Sequence, residues 1–102
     1  MAEVIFGKTS EIENSKVLVR RFGRKRVAVC NVDGSYYAFK DACTHDNAPL
    51  DQGELCGKVI ECPRHGAKFD VTTGAVVAPP AFEALETYPV RIDGDEIKVN
   101  LE

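Results

Sequence analysis

Residues 26–39 read RVAVCNVDGSYYAF, and this stretch decides the architecture. Val27, Val29 and Asn31 alternate with Ala28, Cys30 and Val32, and both sets are largely apolar, which predicts a strand covered on both faces. Asp33-Gly34 then supplies a tight turn, because aspartate and glycine tolerate positive φ, and Tyr36-Tyr37-Ala38-Phe39 returns as the next strand. Upstream, Val17-Leu18-Val19 pairs with the same central run across Gly23-Arg24-Lys25. At the far end, Asp93-Gly94 repeats the turn device between Tyr88 to Ile92 and Glu96 to Leu101. No window carries an apolar stripe at helical spacing, so the chain reads as all-β and antiparallel.

Between the two hairpin regions the pattern changes. From Ala42 to Gly66 the chain is rich in Gly, Pro, Asp and Asn, holds three of the four cysteines and both histidines, and has few large apolar residues. It reads as a small inserted unit with a short hairpin from Glu54 to Glu61 turning at Gly57-Lys58, held by something other than hydrophobic burial. With 102 residues, 44% of them hydrophobic, the chain makes a single domain, 1–102, with one modest core. Thirteen basic and sixteen acidic residues, a formal net charge of -3, form no block of one sign. That excludes nucleic-acid binding by phosphate neutralisation, and no polybasic patch or long apolar run addresses a membrane. The start Met1-Ala2-Glu3 lacks the basic and apolar segments of a leader, so a cytoplasmic protein is expected, where four cysteines serve as metal ligands or buried thiols rather than as a disulfide frame.

The chemistry is concentrated in Cys43-Thr44-His45 and Cys62-Pro63-Arg64-His65, two Cys/His pairs with sixteen residues between them. Two thiolates and two imidazoles from two loops complete either a tetrahedral zinc site or a two-iron cluster whose irons are differently ligated. Zinc sites favour Cys-x2-4-Cys or His-x3-5-His pairs, which the tight Cys-x-His suits poorly.

The stretches CTHDNAPL and CPRHGAKFD closely resemble the cluster loops of Rieske proteins, with Gly66 after the second histidine and Pro79-Pro80 where a third, proline-bearing loop covers the cluster in that family. The resemblance spans nearly the whole chain. It implies a Rieske-like antiparallel β-sandwich, with a β framework at 1–42 and 70–102 and a cluster-binding subdomain at 43–69. It also implies one 2Fe-2S cluster, with Cys43 and Cys62 on one iron and His45 and His65 on the other. Two neutral imidazoles in place of two thiolates make the added electron less costly, which lifts such clusters into a window of about -150 to +300 mV.

The resemblance also marks departures from the high-potential, respiratory members. Their disulfide cysteines are replaced here by Ala48 and Arg64. Their serine and tyrosine hydroxyls, which stabilise the reduced cluster, are replaced by Ala67 and Phe69. A potential near the low end of the window, roughly -150 mV, is therefore expected. Together these features resemble the Rieske-type ferredoxins of multicomponent ring-hydroxylating oxygenases. The implied role is that of a monomeric electron carrier, not an enzyme, passing single electrons from an NAD(P)H-dependent flavoprotein reductase to a terminal oxygenase. Two alternatives stay open: a small Rieske subunit of a reductase or oxygenase complex, and a structural zinc module.

The remaining candidates have plainer readings. Cys30 and Cys56 have no histidine nearby and read as a buried and a turn thiol, with a bridge between them disfavoured by compartment. Arg20-Arg21 and Arg24-Lys25-Arg26 read as a solvated hairpin end, and Tyr36, Tyr37 and Phe39 as packing. Asp46, Asn47, Arg64 and Lys68 flank the histidines and are candidates for partner recognition at the rim of a cluster.

Overall fold

The structure, a computed structural model, describes residues 3–42, 50, 53–63, 66–79, 81 and 83–101. Its strands run in chain order as β1 (Glu3–Lys8), β2 (Val17–Phe22), β3 (Lys25–Val32), β4 (Ser35–Lys40), β5 (Glu54–Cys56), β6 (Val59–Glu61), β7 (Lys68–Asp70), β8 (Val76–Ala78), β9 (Thr87–Tyr88), β10 (Val90–Asp93) and β11 (Glu96–Asn100). They form three antiparallel sheets, ordered β1-β11-β10, β2-β3-β4-β9 and β5-β6-β7-β8. The fold is thus the expected all-β antiparallel sandwich.

The period of two in β3 sorts its side chains into two cores. Ala28 and Cys30 join a cluster with Phe39, Leu50, Leu55, Ile60, Phe69 and Val71. Val27 and Val29 join another with Phe6, Ala38, Tyr88, Ile97 and Val99. The β2-β3-β4-β9 sheet is therefore the middle layer, with β1-β11-β10 on one face and β5-β6-β7-β8 on the other. This is why residues 27–31 are all buried and why the run reads as apolar on both alternations.

The first hairpin turns at Gly23-Arg24, with Phe22 opposite Lys25. The next turns at Asp33-Gly34, both at positive φ (52° and 89°), and Gly34 N–H donates to Asn31 Oδ1 at 2.8 Å. The short hairpin of the middle segment forms as expected, with Leu55 opposite Ile60 and Cys56 opposite Val59.

Three expectations are revised. The C-terminal hairpin turns at Gly94-Asp95, because Asp93 is still paired with Glu96. Tyr88 does not belong to that hairpin but to β9, opposite Ala38 on the middle sheet. Pro89 separates the two: it has no N–H to continue a ladder, and its carbonyl accepts the Asn100 N–H at 3.0 Å as the chain changes sheets. The middle segment is also not held apart from hydrophobic burial. Leu50, Leu55, Ile60, Ala67 and Phe69 are buried in the core shared with the middle sheet.

Among the described residues no helix is long and apolar enough to cross a membrane.

Candidate metal centre

Of the four expected ligands, Cys62 is described; Cys43, His45 and His65 lie outside the described residues, as do Asp46, Asn47, Ala48, Arg64 and Pro80. Among the described residues no three His, Cys, Asp or Glu side chains gather into a metal-holding group.

Cys62 follows β6 and is followed by Pro63, so the ladder stops there and the chain must turn. The turn is tight. Cys62 N–H donates to the Ala67 carbonyl at 2.7 Å and Gly66 N–H donates to the Cys62 carbonyl at 3.1 Å. Gly66 makes this possible by adopting φ 78°, a left-handed value that disfavours any side chain. Cys62 is 1% exposed and unbridged, with Ala67 and Phe69 buried beside it in the same core. An apolar setting of this kind suits a thiolate whose charge is taken up by a soft metal ion. On the open side lies a cleft of about 310 Å³ lined by Gly53, Glu54, Glu61, Cys62, Pro63 and Gly66.

A second set of contacts ties this turn to the stretch that carries the other Cys/His pair. Asp41, just beyond β4, is buried, and its Oδ1 accepts the Leu50 N–H at 2.8 Å. The Leu50 carbonyl accepts the Gly53 N–H at 2.9 Å. Gly53 in turn lies so close to the Glu61 backbone that a Cβ would collide with the Glu61 carbonyl, one residue before Cys62. A chain of contacts, its first link the Asp41 side chain and the rest backbone, thus runs from Asp41 through Leu50 and Gly53 to the end of β6. It links Asp41, two residues before the first pair, to Glu61, one residue before the second.

The other cysteines behave as plain thiols. Cys30 is fully buried and burial pushes its thiol up to about 12, while Cys56 is exposed at the end of β5; neither is bridged. The basic cluster is mostly engaged within the fold: Arg20 pairs with Glu11 at 2.7 Å and lies over Phe6, Lys25 Nζ donates to the Leu101 carbonyl, and Arg26 pairs with Asp41. Lys68 opens β7 opposite Glu61 and is exposed. Asp41 itself carries no signal in the sequence: an acidic residue at a strand end reads as solvated until its burial is seen.

Residues 2–89 match the family model described as the Rieske [2Fe-2S] domain. The chain is 41% identical over 91 residues to the biphenyl dioxygenase ferredoxin subunit of Pseudomonas sp. (strain KKS102), covering 88% of this chain and 84% of that protein. The structure of the ferredoxin of carbazole 1,9a-dioxygenase from Nocardioides aromaticivorans IC177 superposes with a TM-score of 0.94 at 31% identity, covering 100% of both chains. A chain in a complex of reduced oxygenase and oxidized ferredoxin in carbazole 1,9a-dioxygenase superposes with a TM-score of 0.91 at 33% identity, covering 96% of this chain and 92% of that one.

The chain belongs to the Rieske [2Fe-2S] domain family. Its role is that of an electron carrier holding one Rieske-type 2Fe-2S cluster, not of an enzyme in its own right, and the zinc-module alternative falls with that assignment.

Proposed function

We propose that Cys43 and Cys62 hold one iron of the cluster and His45 and His65 the other, and that the protein carries single electrons from an NAD(P)H-dependent flavoprotein reductase to a terminal oxygenase of the ring-hydroxylating type. The observation that supports the ligand set is the tight turn at Cys62, linked through Glu61, Gly53 and Leu50 to Asp41, two residues before Cys43. The relatives named as ferredoxins of biphenyl and carbazole dioxygenases, and the complex of ferredoxin with oxygenase, support the delivery step. Action as a monomer in the cytoplasm, and the division into a framework at 1–42 and 70–102 with a cluster-binding unit at 43–69, belong to the same reading.

Bound by that ligand set, the cluster supplies one-electron redox chemistry near the low end of a window of about -150 to +300 mV. The chain's own residues set that level. Ala67 and Phe69 are fully buried and bring no hydroxyl to the Cys62 turn, so the charge added on reduction has fewer hydrogen-bond donors to meet it. Cys62 itself packs into the apolar core with Ala67 and Phe69.

The test is direct. The purified protein should contain two irons and two sulfides per chain, and its dithionite-reduced form should give the low average g of a cluster with nitrogen ligands. His45→Ala and His65→Ala should each abolish that signal; a variant that kept it unchanged would remove that residue from the ligand set. Electron delivery is read separately, by reconstituting turnover with a flavoprotein reductase and a ring-hydroxylating oxygenase. A large subunit that co-purifies stoichiometrically would replace the free carrier with a fixed subunit.

A further inference from the structure

Asp41 has a side chain with no exposure to solvent, and its two carboxylate oxygens do different jobs. Oδ2 accepts from Arg26 Nη2 at 2.8 Å and Nε at 3.2 Å. Oδ1 accepts the Leu50 N–H at 2.8 Å. The backbones of the same two residues are also joined, Asp41 N–H donating to the Arg26 carbonyl at 2.9 Å. Arg26 sits near the start of β3 and Asp41 follows β4, so the carboxylate is anchored beside the Val27–Lys40 pair at one end of the β3–β4 ladder. Leu50, at the other side of the contact, is itself fully buried among Phe39 and Phe69.

Burying a carboxylate is costly even when it is paired, and a buried ion pair is a poor device for stability alone. Among the described residues Asp41 is the one buried carboxylate, and eight residues, 42–49, separate it from Leu50. We propose that Asp41 is a positioning residue for the cluster: by holding Leu50 against the end of β4 it fixes both approaches to residues 43–49, so that Cys43 and His45 are presented together. This rests on the reading that those two residues are ligands. Arg26 holds the carboxylate in place, with Nη2 and Nε both on Oδ2, so that Oδ1 stays aimed at the Leu50 N–H.

The test uses the loaded protein and a strong iron chelator, with loss of the visible chromophore as the readout and the spectrum of the reduced cluster recorded beside it. Asp41→Ala should release iron about tenfold faster than wild type, the factor expected for losing the bond that holds Leu50. Asp41→Asn keeps an acceptor for Leu50 and should release it about threefold faster. Ile97→Val, which lowers stability in the core on the far face of the middle sheet, should release iron at the wild-type rate while folded. Wild-type rates in Asp41→Ala overturn the proposal, and so do rates in all three variants that simply track the fall in Tm. If Asp41→Ala does not fold, Asp41→Asn against Ile97→Val at matched Tm decides in the same way. His45→Ala in the same series separates the two readings. If it loses iron while the Asp41 variants behave as wild type, only the positioning role fails; if it keeps iron, the ligand set fails first.

Discussion

Cys30 and Cys62 are both buried and unbridged and lie in the same hydrophobic cluster, yet the proposed function gives only one of them to a metal. Cys30 sits in the middle of β3, its backbone committed to ladders on both sides opposite Val17 and Tyr37. Cys62 sits where β6 ends, and its backbone is spent on a turn back to Ala67. Burial is common to both; what differs is whether the chain around the sulfur is free to bring further ligands to it. A thiol in mid-strand can be packed only by what faces it, whereas a thiol at a strand end has a loop attached.

Substitution at the two positions should therefore diverge most. Cys62→Ser should leave less than roughly a tenth of the wild-type iron per chain, as the ligand role proposed for Cys62 demands. Cys30→Ala should keep full iron and sulfide and cost about 1 kcal/mol, a fall in Tm of roughly 4–8 °C for a domain of this size. Metal analysis and thermal melts on the same preparations check both, and iron loss in Cys30→Ala would erase the contrast.

Alkylation sharpens it further. With its thiol pushed up to about 12, Cys30 holds only about one part in 10⁴ as thiolate at pH 8 and is shielded as well. Cys56 is exposed, and iodoacetamide should modify it at least about a hundredfold faster, as read from peptide masses. Rapid labelling of Cys30 in folded protein would show that the central strand opens.

The two sides of the Cys62 turn give a smaller effect. Phe69→Tyr brings back the hydroxyl that the high-potential relatives carry, and one further hydrogen bond of about 1 kcal/mol corresponds to a rise of about 40 mV for a one-electron couple. Potentiometric titration checks the sign, and an unchanged midpoint would mean that the missing donor does not set the level.

The smallest effect is a pH dependence at the end of β7. The Thr72 hydroxyl, then the Thr72 N–H and Lys58, hold the Asp70 carboxyl below its ordinary value of 3.8. A lowered value means that this stabilisation is present above the ordinary carboxylate range and is lost as pH falls through the folded value. Asp70→Asn should flatten the fall in Tm below about pH 4 while leaving the iron content unchanged.

The framework was readable because its signals are local. The Asp33-Gly34 turn and the double apolar alternation of residues 27–32 state their own pairing, and Cys-x-His with Cys-x2-His states a chemistry. What the sequence did not disclose depends on partners far along the chain. β1 pairs with β11 across most of the protein, β8 joins a sheet begun at Glu54, and Asp41 acquires its meaning only from Leu50 and Arg26. Tyr88 was misplaced because Pro89 divides a run whose apolar pattern continues straight through it.

The pairing of β1 with β11 also has a bearing on synthesis. Residues 3–8 leave the ribosome well before their partners at 96–100, so β1 waits until β11 has emerged before its ladder can close. The sheet β5-β6-β7-β8 draws all its strands from residues 54–78 and can pair earlier. The order of emergence thus lets the half of the molecule around Cys62 take shape before the outer sheet seals the opposite face.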